Sequence, residues 1–124
     1  MELMTVGELI GLLRKWPGDE LLWGRDLANG DAWPLEMPRV AKGDNGKYVQ
    51  LRWRGESAEF TVTHWIMALE HCDPDWPVVM VNLHTLRRDS VVDVAPYDAD
   101  EERNPYWYLA IEVDSEERDP VTGF

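Results

Sequence analysis

Histidine and cysteine are the scarcest chemistry-bearing residues of this chain, with three His and one Cys among 124 residues. A single cysteine excludes an intramolecular disulfide. Cys72 falls on an apolar helical stripe and reads as a packed thiol rather than a nucleophile. His64 and His71 share a helix face but are separated by about 10 Å at 1.5 Å of rise per residue, too far to hold one metal, and read as a surface pair. His84 has no partner that the sequence identifies. Equally absent are a glycine-rich phosphate loop, a Gly-x-Ser-x-Gly elbow and a His-Glu-x-x-His helix. Asp98-x-Asp100-x-Glu102-x-Asn104 follows part of a calcium-loop spacing, yet Arg103 stands where the sharp turn needs Gly and Leu109 where the bidentate Glu belongs. The expectation is a protein with no catalytic residue, no metal and no cofactor.

Positive charge and long apolar runs are also in short supply. Twelve Lys and Arg face 24 Asp and Glu, a net charge of −12. The excess is lopsided: residues 1–56 carry eight basic and nine acidic side chains, net −1, and residues 57–124 carry four and fifteen, net −11. Such a field repels nucleic acid and membrane surfaces and speeds encounter with basic protein surfaces. No apolar run approaches the roughly 20 residues needed to span a bilayer. The opening Met-Glu-Leu-Met-Thr lacks the basic start of a secretory signal, so a cytoplasmic setting is expected.

What the chain does contain is a stretch that it reads out twice. Thr5-Val-Gly-Glu-Leu-Ile-Gly-Leu-Leu-Arg-Lys-Trp-Pro-Gly-Asp19 recurs 56 residues later as Thr61-Val-Thr-His-Trp-Ile-Met-Ala-Leu-Glu-His-Cys-Asp-Pro-Asp75. Thr5/Thr61, Val6/Val62, Ile10/Ile66, Leu13/Leu69 and Asp19/Asp75 are identical at that offset. Each copy predicts a short amphipathic helix with a threonine cap and an apolar residue, Met4 or Phe60, placed to staple its entry. The first copy completes a capping box with Glu8; His64 at the matching position predicts a weaker cap in the second. Val6, Leu9, Ile10, Leu13 and Trp16, and then Val62, Trp65, Ile66, Leu69 and Cys72, follow the spacing of a buried stripe. Pro17-Gly18 and Asp73-Pro74 stop the two helices.

Strand signals follow each helix. Glu20–Arg25 reads as a strand and Asp26–Pro34 as a loop. Asn45-Gly46 predicts a hairpin joining Met37–Asp44 to Lys47–Arg54, with Val40 facing Leu51, Lys42 facing Val49 and Arg39 opposite Arg52. Arg39, Arg52 and Arg54 would then share one outer face, and an acidic group is expected over the opposed arginines. Pro77–Asn82 is a continuous apolar run suited to a central strand covered on both sides. Ser90–Ala95 and Tyr106–Val113 read as two more strands, the last with Trp107, Leu109, Ile111 and Val113 on one face. The expected architecture is α+β: two αβββ halves, residues 1–56 and 57–113, sharing one antiparallel sheet with both helices on one face. Residues 114–124 read as a frayed acidic tail.

On the outer face of the last strand, Tyr106, Tyr108 and Glu112, neighboured by Asp98, Asp100, Glu101 and Glu102, would form an aromatic patch with an acidic rim. That composition suits a partner rich in Lys and Arg. The string Thr5-Val-Gly-Glu-Leu-Ile-Gly-Leu-Leu, then Pro17, Asp19 and a strand, resembles the opening of uncharacterised small proteins common in bacteriophages and actinobacteria, over about 20 residues in each half. That resemblance implies a phage-like setting in the host cytoplasm, where small acidic proteins mimic DNA and block the basic surfaces of nucleic-acid-handling enzymes. The expected function is an acidic inhibitor, monomeric or homodimeric, of anti-CRISPR or anti-restriction type. A toxin-neutralising immunity protein, an assembly accessory and an enzyme of unknown class are the alternatives.

Overall fold

The computed structural model describes residues 3–27, 30, 32–43, 46–52, 59–81, 88–97 and 108–118. Helices form where the caps place them, α1 at Val6–Leu13 and α2 at Val62–Leu69. At the first cap the Glu8 amide donates to Thr5 Oγ1 over 3.2 Å while the Thr5 amide donates to Glu8 Oε1 over 3.1 Å. At the second, the His64 amide donates to Thr61 Oγ1 over 3.3 Å and the Thr61 amide to His64 Nδ1 over 3.1 Å. The second box is therefore complete, against expectation. An imidazole nitrogen that carries no proton accepts as a carboxylate oxygen does, which fixes the neutral ring as the Nε2–H tautomer.

Among the described residues, seven strands make one sheet: β1 (Leu22–Asp26), β2 (Ala32–Pro34), β3 (Arg39–Gly43), β4 (Gly46–Arg52), β5 (Val78–Val81), β6 (Arg88–Tyr97) and β7 (Tyr108–Arg118), in spatial order β2-β1-β7-β6-β5-β4-β3. The edge strands β2 and β3 are consecutive in the chain. Five Cα steps from Pro34 to Arg39 span at most about 18 Å, whereas six strand spacings in a flat sheet would separate the edges by about 29 Å. The sheet must curl to bring its edges together. Prolines 34 and 38, which cannot donate to a ladder, bracket the break between the two short strands.

One face of the sheet, built from Leu22, Val49, Leu51, Val78, Met80, Val91, Val94, Leu109, Ile111 and Val113, packs with Val6, Leu9 and Leu13 of α1 and Val62, Trp65 and Leu69 of α2 in a single buried cluster. Each fully buried aliphatic side chain here is worth about 1.5–3 kcal/mol. A smaller cluster of Tyr48, Val79 and Val81 occupies the other face. All four β5 residues are buried, which accounts for their unbroken apolar run.

Several expectations need correction. The sheet is mixed, because β1 runs parallel to β7 and β4 parallel to β5. The first half is αββββ: β2 lies inside the stretch read as a loop, so only the second half has the αβββ order. The hairpin pairs Lys42 with Lys47 and Val40 with Val49, two residues away from the expected register, and sets Arg39 opposite Gln50 rather than Arg52. Glu36 supplies the acidic neighbour, 3.6 Å from Arg39. The tip residues Asp44 and Asn45, and Arg54, lie outside the described residues. β7 runs to Arg118, so Asp114–Arg118 of the expected tail are strand.

Contacts in the first half recur in the second at the offset of 56. The Val6 amide donates to the Trp76 carbonyl over 2.9 Å and the Val62 amide to the Glu20 carbonyl over 2.8 Å; Gly7 to Pro74 and Thr63 to Gly18 are both 3.0 Å; Leu22 to Phe60 is 3.0 Å and Val78 to Met4 is 2.8 Å. Every one of these bonds crosses between halves. Trp23 pairs with Pro34 as Val79 pairs with Ser90 at the same offset, whereas Arg39 with Gln50 corresponds to Ala95 with Ala110, β7 standing 60 rather than 56 residues after β4. Arg14 and Glu70, which occupy the same helical position in the two halves, meet at 3.5 Å. Being exposed, that ion pair contributes at most about 1 kcal/mol.

Candidate functional site

Of the expected partner-binding residues, Glu112 is placed within β7. Tyr108 opens that strand, with its backbone opposite Tyr97 of β6. Asp98, Asp100, Glu101, Glu102 and Tyr106 lie outside the described residues, as do Trp107 and His84. The structure brings two residues to Glu112 that sequence reasoning missed. Asp93 of β6 is directly opposite it on one side, and Arg25 of β1 is in register on the other. Directly opposed residues share a sheet face, so the row Asp93, Glu112, Arg25 runs across three strands.

A β-bulge sets this row. Val91 pairs with Val113 and Asp93 with Glu112, leaving Val92 unmatched and 43% exposed. Without the extra residue, strict alternation would turn Asp93 to the opposite face from its present one. Asp93 Oδ1 accepts from the Val94 amide over 2.8 Å, which holds the carboxylate near the backbone. Burial pushes the Glu112 carboxyl above its usual range; Asp93 adds to that push and Arg25 opposes it. Asp114, paired with Ser90, continues the acidic line along β7.

The frame does not dictate this charge. Where β7 pairs in parallel with β1, Glu112 sits beside Arg25; at the matching step of β4 with β5, Arg52 sits beside Val81. Arg52 Nε donates to Gln50 Oε1 over 2.7 Å. The same sheet position therefore accepts either sign.

A second feature lies on α2. His64, Met67, Ala68 and His71 line an open groove of about 540 Å³ with Met37, Glu59 and Phe60. Met67 is 59% exposed, and the Phe60 and His64 rings meet edge to face at 6.4 Å. The expected surface pair of histidines thus flanks an apolar floor. The i, i+3, i+4, i+7 spacing of His64, Met67, Ala68 and His71 carried that signal in the sequence. Among the described residues, no three His, Cys, Asp or Glu side chains are placed to hold one metal ion. Cys72 is half-buried, its Sγ–H donating to the Ala68 carbonyl over 3.8 Å, and burial pushes the thiol above its usual range.

Fold and surface together define an α+β protein with, among the described residues, two helices, an acidic strand pair and an apolar groove. No helix among the described residues is long and apolar enough to cross a membrane. Comparison with family models, with curated proteins and with solved structures returns no match.

Proposed function

We propose that this protein acts by stoichiometric binding rather than turnover, presenting the carboxylates of β6 and β7 to a basic surface on a protein that handles nucleic acid. One observation carries the reading: Asp93 and Glu112 are directly opposed like charges on neighbouring strands, an arrangement that costs stability. The matched position in the first half carries Arg52, so the acid is not required by the sheet. A feature that the fold tolerates at a cost fits a role outside the fold. The net −11 of residues 57–124 extends the same field.

In this reading the chain is a duplicated unit whose first copy serves as scaffold and whose second copy has been turned into a binding surface. Blocking of a defence nuclease, of anti-CRISPR or anti-restriction type, is the most specific form of the proposal. The test is capture of partners from host lysate at about 50 and about 300 mM salt, with and without competing DNA, using the native chain and an Asp93→Asn, Glu112→Gln double variant. Expected is a basic partner that salt and DNA both release and that the double variant holds less well. Salt-insensitive self-association, or a partner indifferent to the double variant, would overturn it.

A further inference from the structure

The groove on α2 is not part of the acidic strand pair, and α1 forms without the side chains that line it on α2. At the matching positions of α1 stand Glu8, Gly11 and Lys15, in place of His64, Met67 and His71. Both helices are the same length, carry complete caps and bury their inward residues fully. An exposed methionine between two histidines is therefore an addition peculiar to the second helix. Its floor is Met37, Phe60, Met67 and Ala68, its polar lining is Glu59 and the two imidazoles, and among the described residues no Lys or Arg lines it.

We infer that this groove seats an apolar side chain, of leucine to tryptophan size, from a short Lys- and Arg-flanked segment of the basic partner. The inference rests on the binding function proposed above and names where the partner's apolar anchor goes. Three observations select that occupant. The volume suits one or two large side chains and is open enough for a chain to lie along it. Methionines supply a deformable, polarizable floor of the kind that accepts differing apolar shapes. Among the described residues the lining includes an acidic side chain, Glu59, and no basic one, and residues 57–124, which bear α2, are net −11, so basic flanks are attracted and acidic ones repelled. A second copy of this chain brings another −12 with it and is disfavoured by the same field.

The probe is a synthetic peptide with Leu and Trp anchors between Lys and Arg flanks, compared with its anchors-to-Ala and its Asp/Glu-flanked versions. Binding is followed through the Met37 and Met67 methyl resonances of the full chain. Expected are shifts of both methyls by the basic anchored peptide, about tenfold weaker binding without the anchors, and weaker binding to Met67→Glu although that variant adds negative charge. Met67 is exposed, so the variant folds; unchanged backbone spectra would verify this. Tighter binding to Met67→Glu, no methyl shift, or methyl shifts on concentrating the protein alone would overturn the groove assignment and leave the acidic surface standing. Equal binding of basic- and acid-flanked peptides would instead keep an apolar groove but remove the basic partner.

Discussion

Replacing Glu112 by Gln should make the protein more stable at neutral pH. The side chain keeps its shape, loses its repulsion from Asp93 directly across the ladder, and gives up its attraction to Arg25. Burial is the largest cause of its raised pKa, Asp93 the second, and Arg25 opposes both without cancelling them. Opposed like charges on neighbouring strands cost about 0.2–1 kcal/mol. Asp93 is exposed and Glu112 half-buried, so solvent screening puts the gain near the lower part of that range, about 0.5 kcal/mol. In urea that moves the midpoint up by about 0.2–0.5 M with no change in slope. The sign with pH follows from the raised pKa. Between the ordinary glutamate value and the higher folded value, the native state holds more protons than the unfolded one, so stability rises as pH falls through that window. The penalty is complete above the folded pKa and gone below the unfolded one. The Gln variant should therefore gain most at pH 7.5 and match the native chain near pH 4. Urea titrations at both values decide it. A variant less stable than the native chain at pH 7.5 would mean that Arg25 outweighs burial and Asp93, and the argument that this acid is held at a cost would be wrong.

Other consequences can be checked alongside. Thr61→Ala removes the Oγ1 acceptor of the second capping box and should cost about 1 kcal/mol by urea unfolding, with Thr5→Ala costing about the same; a loss confined to Thr5 would show that Thr61 Oγ1 caps nothing in solution. Cys72 should react with a thiol reagent at pH 8 at least about tenfold more slowly in the folded chain than in urea, since burial raises its pKa and its Sγ–H is engaged with Ala68. Ile111→Ala, at a fully buried position between β1 and β6, should cost about 2–5 kcal/mol, enough to abolish a clean unfolding transition if the native chain is marginal. Trp65→Phe should cost less than its lost volume suggests, because the buried indole N–H has no hydrogen-bond acceptor among the described residues and its removal relieves a polar penalty.

How much of this was legible in the sequence depended on how local each feature is. The helices were readable because Thr5 with Glu8, and Thr61 with the apolar stripe behind it, encode their own starts within four residues. β5 announced itself by four consecutive buried residues, and β7 by the alternation of Leu109, Ile111 and Val113. The parallel pairings were invisible because they join β1 to β7 and β4 to β5, strands from different halves, and nothing in either strand names its neighbour. The hairpin slipped by two because Gly43-Asp-Asn-Gly46 offers two adjacent turn centres. A shift of two leaves Val49 and Leu51 on the buried face either way, so hydrophobic pattern cannot choose between them. Asp93 escaped notice for a related reason. Val91-Val92-Asp93-Val94 reads as an ordinary strand, and only the opposing β7 shows that Val92 is the extra residue. In the sequence His64 reads as a weaker cap than Glu8 because an imidazole and a carboxylate share little in sequence terms, although either can present a bare acceptor to a cap amide, as His64 Nδ1 does to Thr61.

The cross-half hydrogen bonds explain why these features can differ between the two helices without loss of the fold. Val6 to Trp76 and Val62 to Glu20, like Leu22 to Phe60 and Val78 to Met4, use only backbone atoms, so they constrain chain path and not side-chain identity. The buried positions Val6, Leu9 and Leu13 and their counterparts Val62, Trp65 and Leu69 supply the apolar contact. Between them these two sets hold both helices on the sheet while asking nothing of Gly11, Lys15 or Arg52. Their counterparts Met67 and His71 line the groove and Glu112 joins the acidic row, while His64 lines the groove and also caps α2. A frame closed by reciprocal backbone bonds leaves its outward side chains open to change, and the two places where this one is most lopsided are where a partner should be sought.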